Sequence, residues 1–533
     1  MNRDNMRRNA YQAVCAALSG ALVALCFPTV FFGRHLPEMG WLAWIALVPL
    51  VIVVLDASPR RAFALAFISG LVAYGGSLYW IYRALHHYGK LPPLASSLVL
   101  ALMILILAAY IALAPAIARF IQTRWRGEMI ALLPACWASV ELARNYGPAG
   151  GFPWANIAMS QWRALSMIQI ADLVGIYGLI FLIVWVNVCL AEIVSALAGR
   201  RPAQLALKTG VTIALLVATF AYGRVRLGEI STNLAPAGTM TVGIVQGNIA
   251  QEDKWREDRA IENLKILRRG TRALRDASVD LVLWPEASFP WPIDTRTAEI
   301  EPIALGFDAE ELGPVPRLGM GAISEKPDGG YYNSFVLFDA KGNLTGRYHK
   351  VHLVPFGEYV PYGRLLFFAR KLTEPAGNFS PGEGYEPILI GDTMAGPLVC
   401  YEDIFPEISR SLVRNGAEYL VNVTNDAWYG VSSAPFQHLA LAVFRSVENR
   451  RYMVRATNTG VSAVISPSGR VETESGIFHD ALIVAPIGLR RGLAPYSRMG
   501  DWFAYACAAY AAIGLIIAVA IGIRKRRGRS TAN

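Results

Sequence analysis

The chain has 533 residues, of which 54% are apolar and only 17% charged, with a mean hydropathy of +0.35 and a net charge of +10. That length excludes a single compact domain, and that composition excludes a protein soluble throughout. The positive charge is not a nucleic-acid signature, because much of it lies in short clusters between apolar runs and no RNA- or DNA-binding module is visible.

In chain order, apolar runs fall at about 11–28, 41–56, 63–82, 93–118, 129–143, 165–196, 204–222 and 502–523. Each is near the ~20 residues a helix needs to cross the hydrocarbon core, the second and fifth being short. The first follows Arg3, Arg7 and Arg8. No small-residue cleavage site comes after it and more spans follow, so it reads as a retained helix rather than a signal peptide. Arg60 and Arg61 follow the second run, Arg124 and Arg126 the fourth, Arg200 and Arg201 the sixth, and the chain ends "RKRRGR" after the eighth. If eight helices are counted, these clusters share one face, which is then the cytoplasmic one. The expected organisation is a membrane domain at 1–224 with seven helices, an extracytoplasmic domain at 225–498, and a last helix with a basic cytoplasmic tail at 499–533.

Between the seventh and eighth runs the pattern changes. "TMTVGIVQGN" (239–248) reads as a buried strand, and "IENLKILRRGTRAL" carries Ile261, Leu264, Leu267 and Leu274 at helical spacing. "VDLVLWPEASFP" is a strand that stops at Pro285. "SFVLFDAKGNLTGRYHK" is a hairpin around Lys341 and Gly342. "AEYLVNVTNDAW" is a strand leading to a polar turn, "APFQHLALAVFRSVENRRYMVRAT" a helix running to a strand, and "SAVISPSGRVE" a late hairpin. Helices alternating with apolar strands make this an α/β domain.

Of six cysteines, Cys15, Cys26, Cys136, Cys189 and Cys507 lie in apolar spans, where a thiol is usually a small hydrophobe. Only Cys400, in "GPLVCYEDIFPE", lies in the α/β domain. A lone thiol in an oxidising compartment is an oxidation liability with no disulfide partner. Position alone leaves two readings, a nucleophile or a buried core cysteine at a strand end. A nucleophile needs a base and an oxyanion donor. Glu286 in "LWPEAS" sits just past a buried strand, where desolvation raises a carboxylate's pKa; its bland reading is a loop acid. Lys350 in "GRYHKVHLVPFGE" is also at a strand end, its bland reading a solvated lysine, and Glu358 follows in a turn. Three strand ends bearing Glu, Lys and Cys in one α/β domain favour the catalytic reading.

"WPE", "HKVHLVPFGEYVP" and "CYEDIFPE", in that order, resemble the nitrilase family of carbon–nitrogen hydrolases. With seven apolar runs before that domain and one after it, nearly the whole chain resembles the bacterial apolipoprotein N-acyltransferase family. The resemblance implies an α-β-β-α sandwich beside a polytopic membrane domain of about eight transmembrane helices. It implies that Glu286, Lys350 and Cys400 form a catalytic triad, that Glu358 is an additional acidic residue, and that Trp255, Tyr401 and Glu402 support the site. The implied reaction moves a fatty acyl chain from a phospholipid, through a thioester on Cys400, to the α-amino group of a diacylglyceryl-cysteine at an apolipoprotein N-terminus. Glu286 relays the proton, and Lys350 with the Tyr401 N–H stabilises the oxyanion. No cofactor is implied. The enzyme would be a monomer of the bacterial inner membrane, with its catalytic domain in the periplasm and both termini cytoplasmic.

Substrates with acyl chains in the bilayer require a site open to the membrane. "GRLLFFARKL" places Leu365, Leu366, Phe367 and Phe368 in a row between Arg364, Arg370 and Lys371. Such a run is either core or a membrane-dipping lid, and the flanking basic residues favour the lid. The loop "NDAWYGVSSAPFQ", with Trp428, is a second candidate lipid contact, or else an ordinary strand-to-helix connection. His349 and His352 lack further ligands, so no metal site is expected. Two rivals remain at this level: a membrane-tethered amidase that hydrolyses a small molecule, and a non-enzymatic sensor with a misaligned triad.

Overall fold

A computed structural model describes residues 3–31, 33–125, 127–199, 204–232, 237–297, 317–361 and 379–530. The chain divides into two compact units: residues 1–82, 92–225 and 501–533 form the first, and 83–91 with 226–500 the second. The short Arg83–Leu91 segment, which lies among the apolar runs in sequence, thus belongs with the second unit.

The first unit is helical, apart from a two-stranded hairpin of β1 (Val30–Phe31) and β2 (Arg34–His35). Helices span Arg3–Leu25, Val48–Val54, Pro59–Ser77, Pro93–Trp125, Met129–Tyr146, Ala171–Leu197, Leu205–Thr232 and Trp502–Ser530. Among the described residues, four are long and apolar enough to cross a membrane, and a fifth is if Pro59–Ser77 and Ile81–Tyr88 count as one bent span. The other expected spans fall short for visible reasons. The first helix opens with Arg3, Asp4, Arg7 and Arg8; the second is only seven residues; Met129–Tyr146 carries Glu141 and Arg144. The helices meet over small residues, as membrane helices do: a Cβ on Gly70 would lie 2.8 Å from the Ala108 Cα. Asn187, buried here, accepts from Leu47 N and donates to Ala43 O at 2.9 Å each.

The second unit holds two facing sheets. The first is built from β3 (Gly238–Gln246), β4 (Leu281–Trp284), β5 (Ile293–Asp294), β6 (Arg317–Glu325), β7 (Tyr331–Phe338), β8 (Leu344–His349) and β15 (Ala481–Leu489), in the order β15-β3-β4-β6-β7-β8 with β5 beside β6. The second runs β14-β13-β12-β11-β10-β9, from β9 (Ile388–Ile390), β10 (Thr393–Val399), β11 (Tyr419–Thr424), β12 (Met453–Thr457), β13 (Ala463–Ile465) and β14 (Val471–Glu474). Each has three parallel strands at its heart, β3, β4 and β6 in one and β10, β11 and β12 in the other, flanked by antiparallel ones. These central strands are buried on both faces, which is why "LVLW" and "YLVNVT" read as continuous apolar runs. Helix Glu257–Ala273 covers one outer face, with Leu264 and Leu267 against Val245, Val282, Trp284 and Met320. Helices Pro406–Arg414 and Ala434–Asn449 cover the other. The layering is the α-β-β-α sandwich that the resemblance implies.

The expected strands and helices of this domain are present, with small shifts in their ends. Sequence periodicity did not reveal β6, β9, β15 or helix Pro406–Arg414. β6 is interrupted by Gly319 and Gly321, and β15 carries Pro486, which an edge strand tolerates because its outward side has no ladder to break.

Candidate active site

The site lies where strands end. In sheets with parallel cores, loops beyond the carboxyl ends of adjacent strands converge. Pro285 ends β4, and Glu286 follows it. β6 passes directly beneath this turn: Gly321 N donates to Pro285 O at 3.1 Å and Ser288 N to Gly321 O at 2.7 Å. A Cβ at Gly321 would sit 2.4 Å from the Glu286 Cα, so only glycine allows this approach. Glu286 is 7% exposed, and Ala287 takes φ 47, a left-handed conformation that costs a non-glycine residue about 1–3 kcal/mol.

Lys350 follows β8 and is 1% exposed. Its ammonium bonds both oxygens of Glu358, at 3.1 and 2.9 Å. Burial alone would lower this ammonium, but the Glu358 charge, and then those of Cys400 and Glu286, raise it above the ordinary lysine value. Asn333, in β7, joins the two carboxylates: its Nδ2 donates to Glu286 Oε1 at 2.7 Å and Glu358 Oε1 at 2.8 Å. Its own carbonyl accepts from Lys350 N at 2.8 Å.

Cys400 ends β10 with φ 56, starting a tight turn over Cys400–Ile404 that projects the thiol from the strand end. It is 8% exposed and accepts from Thr424 Oγ1, at the end of β11, at 3.5 Å. Burial first, and then Glu286, push the thiol well above its ordinary value, while Lys350 and the Thr424 hydroxyl pull the other way. At rest Cys400 therefore keeps its proton, and its reactivity depends on handing that proton to a neighbour during attack.

Glu402 is fully buried. It accepts from Val399 N at 2.8 Å, Val351 N at 2.9 Å, His352 N at 3.0 Å and Tyr348 Oη at 3.1 and 3.2 Å. It therefore staples the strand end bearing Cys400 to the one bearing Lys350. Burial pushes it up to about 7, against those backbone donors. The Tyr401 ring lies 5.6 Å below the Lys350 ammonium and donates its hydroxyl to Leu353 O at 3.4 Å. Behind the turn, His438 bonds Asp403 at 2.6 Å through Nε2 and Asp426 at 2.9 Å through Nδ1, and Arg455 pairs with Asp403.

Two family models match the chain: carbon-nitrogen hydrolase over residues 241–492, and apolipoprotein N-acyltransferase N-terminal domain over 19–189. An apolipoprotein N-acyltransferase of Geobacter metallireducens is 41% identical over 96% of this chain and 95% of its own. The chain belongs to the apolipoprotein N-acyltransferase family. Family members so named from Methylococcus capsulatus and Chromobacterium violaceum are 32% and 34% identical, over 98% and 96% of this chain and 98% and 94% of theirs. This apolipoprotein N-acyltransferase family member is an acyltransferase carrying a carbon–nitrogen hydrolase domain.

Of the residues singled out in sequence, Glu286, Lys350, Glu358, Cys400, Tyr401 and Glu402 come together. Trp255 does not join them: it is 52% exposed on the surface. Trp428 is partly exposed, its ring edge-to-face with Tyr88 at 5.7 Å. Leu365, Leu366, Phe367 and Phe368 lie outside the described residues. His349 bonds Ser334 and stacks on Tyr332, while His352 stacks on Phe405. Sequence reasoning missed Asn333, Lys254, Thr424 and the His438 cluster. The one available signal was a polar residue inside an otherwise apolar stretch, as in "YYNSFVLF" and "PFQHLALAVF".

Proposed function

We propose that this enzyme acylates the α-amino group of diacylglyceryl-cysteine at the N-terminus of apolipoproteins, drawing the acyl chain from a phospholipid through a thioester on Cys400. The observation that supports this reading most is the meeting of a buried, protonated thiol with buried Glu286 and Lys350 at the ends of strands from two facing sheets, in a chain of this family.

In the first half-reaction the Cys400 sulfur adds to the ester carbonyl as its proton passes to Glu286. The tetrahedral oxyanion is held by the positive field of Lys350. Its collapse breaks the ester C–O bond, and the departing lysophospholipid oxygen takes the proton from Glu286. In the second, the neutral amine adds to the thioester and Glu286 takes a proton from it. The C–S bond then breaks, and the proton returns to sulfur. An α-amino group has a pKa of roughly 8, so part of it is neutral at pH 7. Glu358 keeps Lys350 charged, and Asn333 fixes both carboxylates.

The proposed setting is the bacterial inner membrane, with eight spans, both termini in the cytoplasm and residues 225–498 outside it. The alternation of basic clusters along the sequence supports that orientation. A reporter active only outside the cytoplasm, fused after Arg529, is expected to be silent; an active fusion contradicts the topology. The function is tested by incubating purified protein with phospholipid and a diacylated lipopeptide. The expected product is the N-acylated peptide plus lysophospholipid. Release of free fatty acid with the peptide unmodified points instead to a hydrolase.

A further inference from the structure

Lys254 precedes the exposed Trp255, yet its own side chain turns inward and is 6% exposed. Its ammonium donates to the Glu286 carbonyl oxygen at 2.7 Å. The turn that carries it is fixed from several sides. Asn263 Nδ2 donates to Asp253 O at 3.0 Å, Asn425 Nδ2 to Gln251 Oε1 at 2.7 Å, and Asn458 Nδ2 to Ile249 O at 2.7 Å. Among the described residues, that carbonyl is the only hydrogen-bond acceptor of the Lys254 ammonium and no carboxylate pairs with it, whereas Lys350 is held by both oxygens of Glu358.

The charges around the thiol show what this cation balances. Cys400 is faced by Glu286, Lys350 and Asp426, with the hydroxyl of Thr424 at its sulfur. Lys350 is matched by Glu358, and Asp426 is matched by His438 and Arg455. Glu286 is then the remaining anion and Lys254 the remaining cation; Lys254 is itself faced by Glu286 and Cys400. We infer that Lys254 is a positioning residue of this site, holding the Glu286 turn and supplying the positive charge that makes the Cys400 proton removable. Burial lowers its ammonium to about 8, against the pull of Glu286 and Cys400, in keeping with a cation that lacks a full counter-charge. This rests on Glu286 and Cys400 being the reacting pair proposed above.

The test is the rate of Cys400 alkylation by iodoacetamide at pH 7, where the Lys254 ammonium still holds its proton, located by peptide mapping, with Cys400→Ala as the blank. Lys254→Met removes charge and hydrogen bond together. It is expected to slow alkylation about tenfold, the equivalent of about one unit in the thiol's pKa. The kcat for acyl transfer should fall while KM stays within about twofold. Lys254→Gln keeps an N–H donor without the charge and should show the same slowing; it also carries the test if the Met variant does not fold. An unchanged rate in the folded variants, or a wild-type rate restored by Gln, overturns the inference. Alkylation needs neither phospholipid nor peptide. Normal alkylation with no acyl transfer by the wild type would therefore count against the proposed function and leave the role of Lys254 standing.

Discussion

Replacing Cys400 by alanine is expected to abolish both half-reactions, on the order of a 10⁶-fold loss when the nucleophile itself is removed. The fold should survive. Alanine has the same Cβ, so the left-handed backbone at this position is strained no further. What is lost is one sulfur and one hydrogen bond from Thr424, about 1 kcal/mol. Cys400→Ser should also be nearly inactive. The site already holds the thiol well above its ordinary pKa, and a hydroxyl proton is much harder to remove. Steady-state assay together with a thermal melt checks this. Retention of more than a small fraction of activity in either variant removes Cys400 from the mechanism.

The second large effect is on stability. His438 is fully buried with a carboxylate oxygen at each ring nitrogen, so both nitrogens must donate and the ring is an imidazolium. With Arg455 it balances Asp403, in the Cys400 turn, and Asp426, in the turn after Thr424. His438→Leu leaves two buried carboxylates facing one cation. Breaking a buried pair in this way costs about 3–5 kcal/mol, a large part of the roughly 5–15 kcal/mol a folded domain has. Chemical denaturation should show a loss of that size; a loss below about 1 kcal/mol contradicts the assignment. Burial opposes the charge on His438, yet Asp403 first, and then Asp426, raise it to about 9, against the pull of Arg455. A group whose folded pKa is raised contributes fully below its unfolded value of about 6.5. The wild type should therefore lose this contribution as pH rises from about 6.5 through about 9, and the leucine variant should not.

The parts of this molecule that were legible in sequence are those with a local signature. Continuous apolar runs mark the central strands because those strands are buried on both faces, and breaks after "LVLW", "RYH" and "GPLV" place Glu286, Lys350 and Cys400 at strand ends. Which strand ends meet is set by sheet order and by the facing of the two sheets. That order pairs β10 with β11 and β4 with β6 across long stretches of chain, and no periodicity reports it. For the same reason nothing local singles out Asn333, 47 positions from the Glu286 it holds. Lys254 has no local signature either: beside an exposed aromatic at 255, it is the lysine that turns inward. Glu402 was expected to support the site; its bonds to the backbone after β8 and at the end of β10 join two segments from different sheets, which no local pattern in the sequence reports.

The most direct test of a covalent acyl transfer is the intact mass of the wild-type protein after incubation with phospholipid alone. One added fatty acyl mass is expected, mapped to Cys400, removed by hydroxylamine, and discharged as an amide onto a diacylglyceryl-cysteine peptide. No adduct at Cys400 under conditions where acylated peptide accumulates would contradict it.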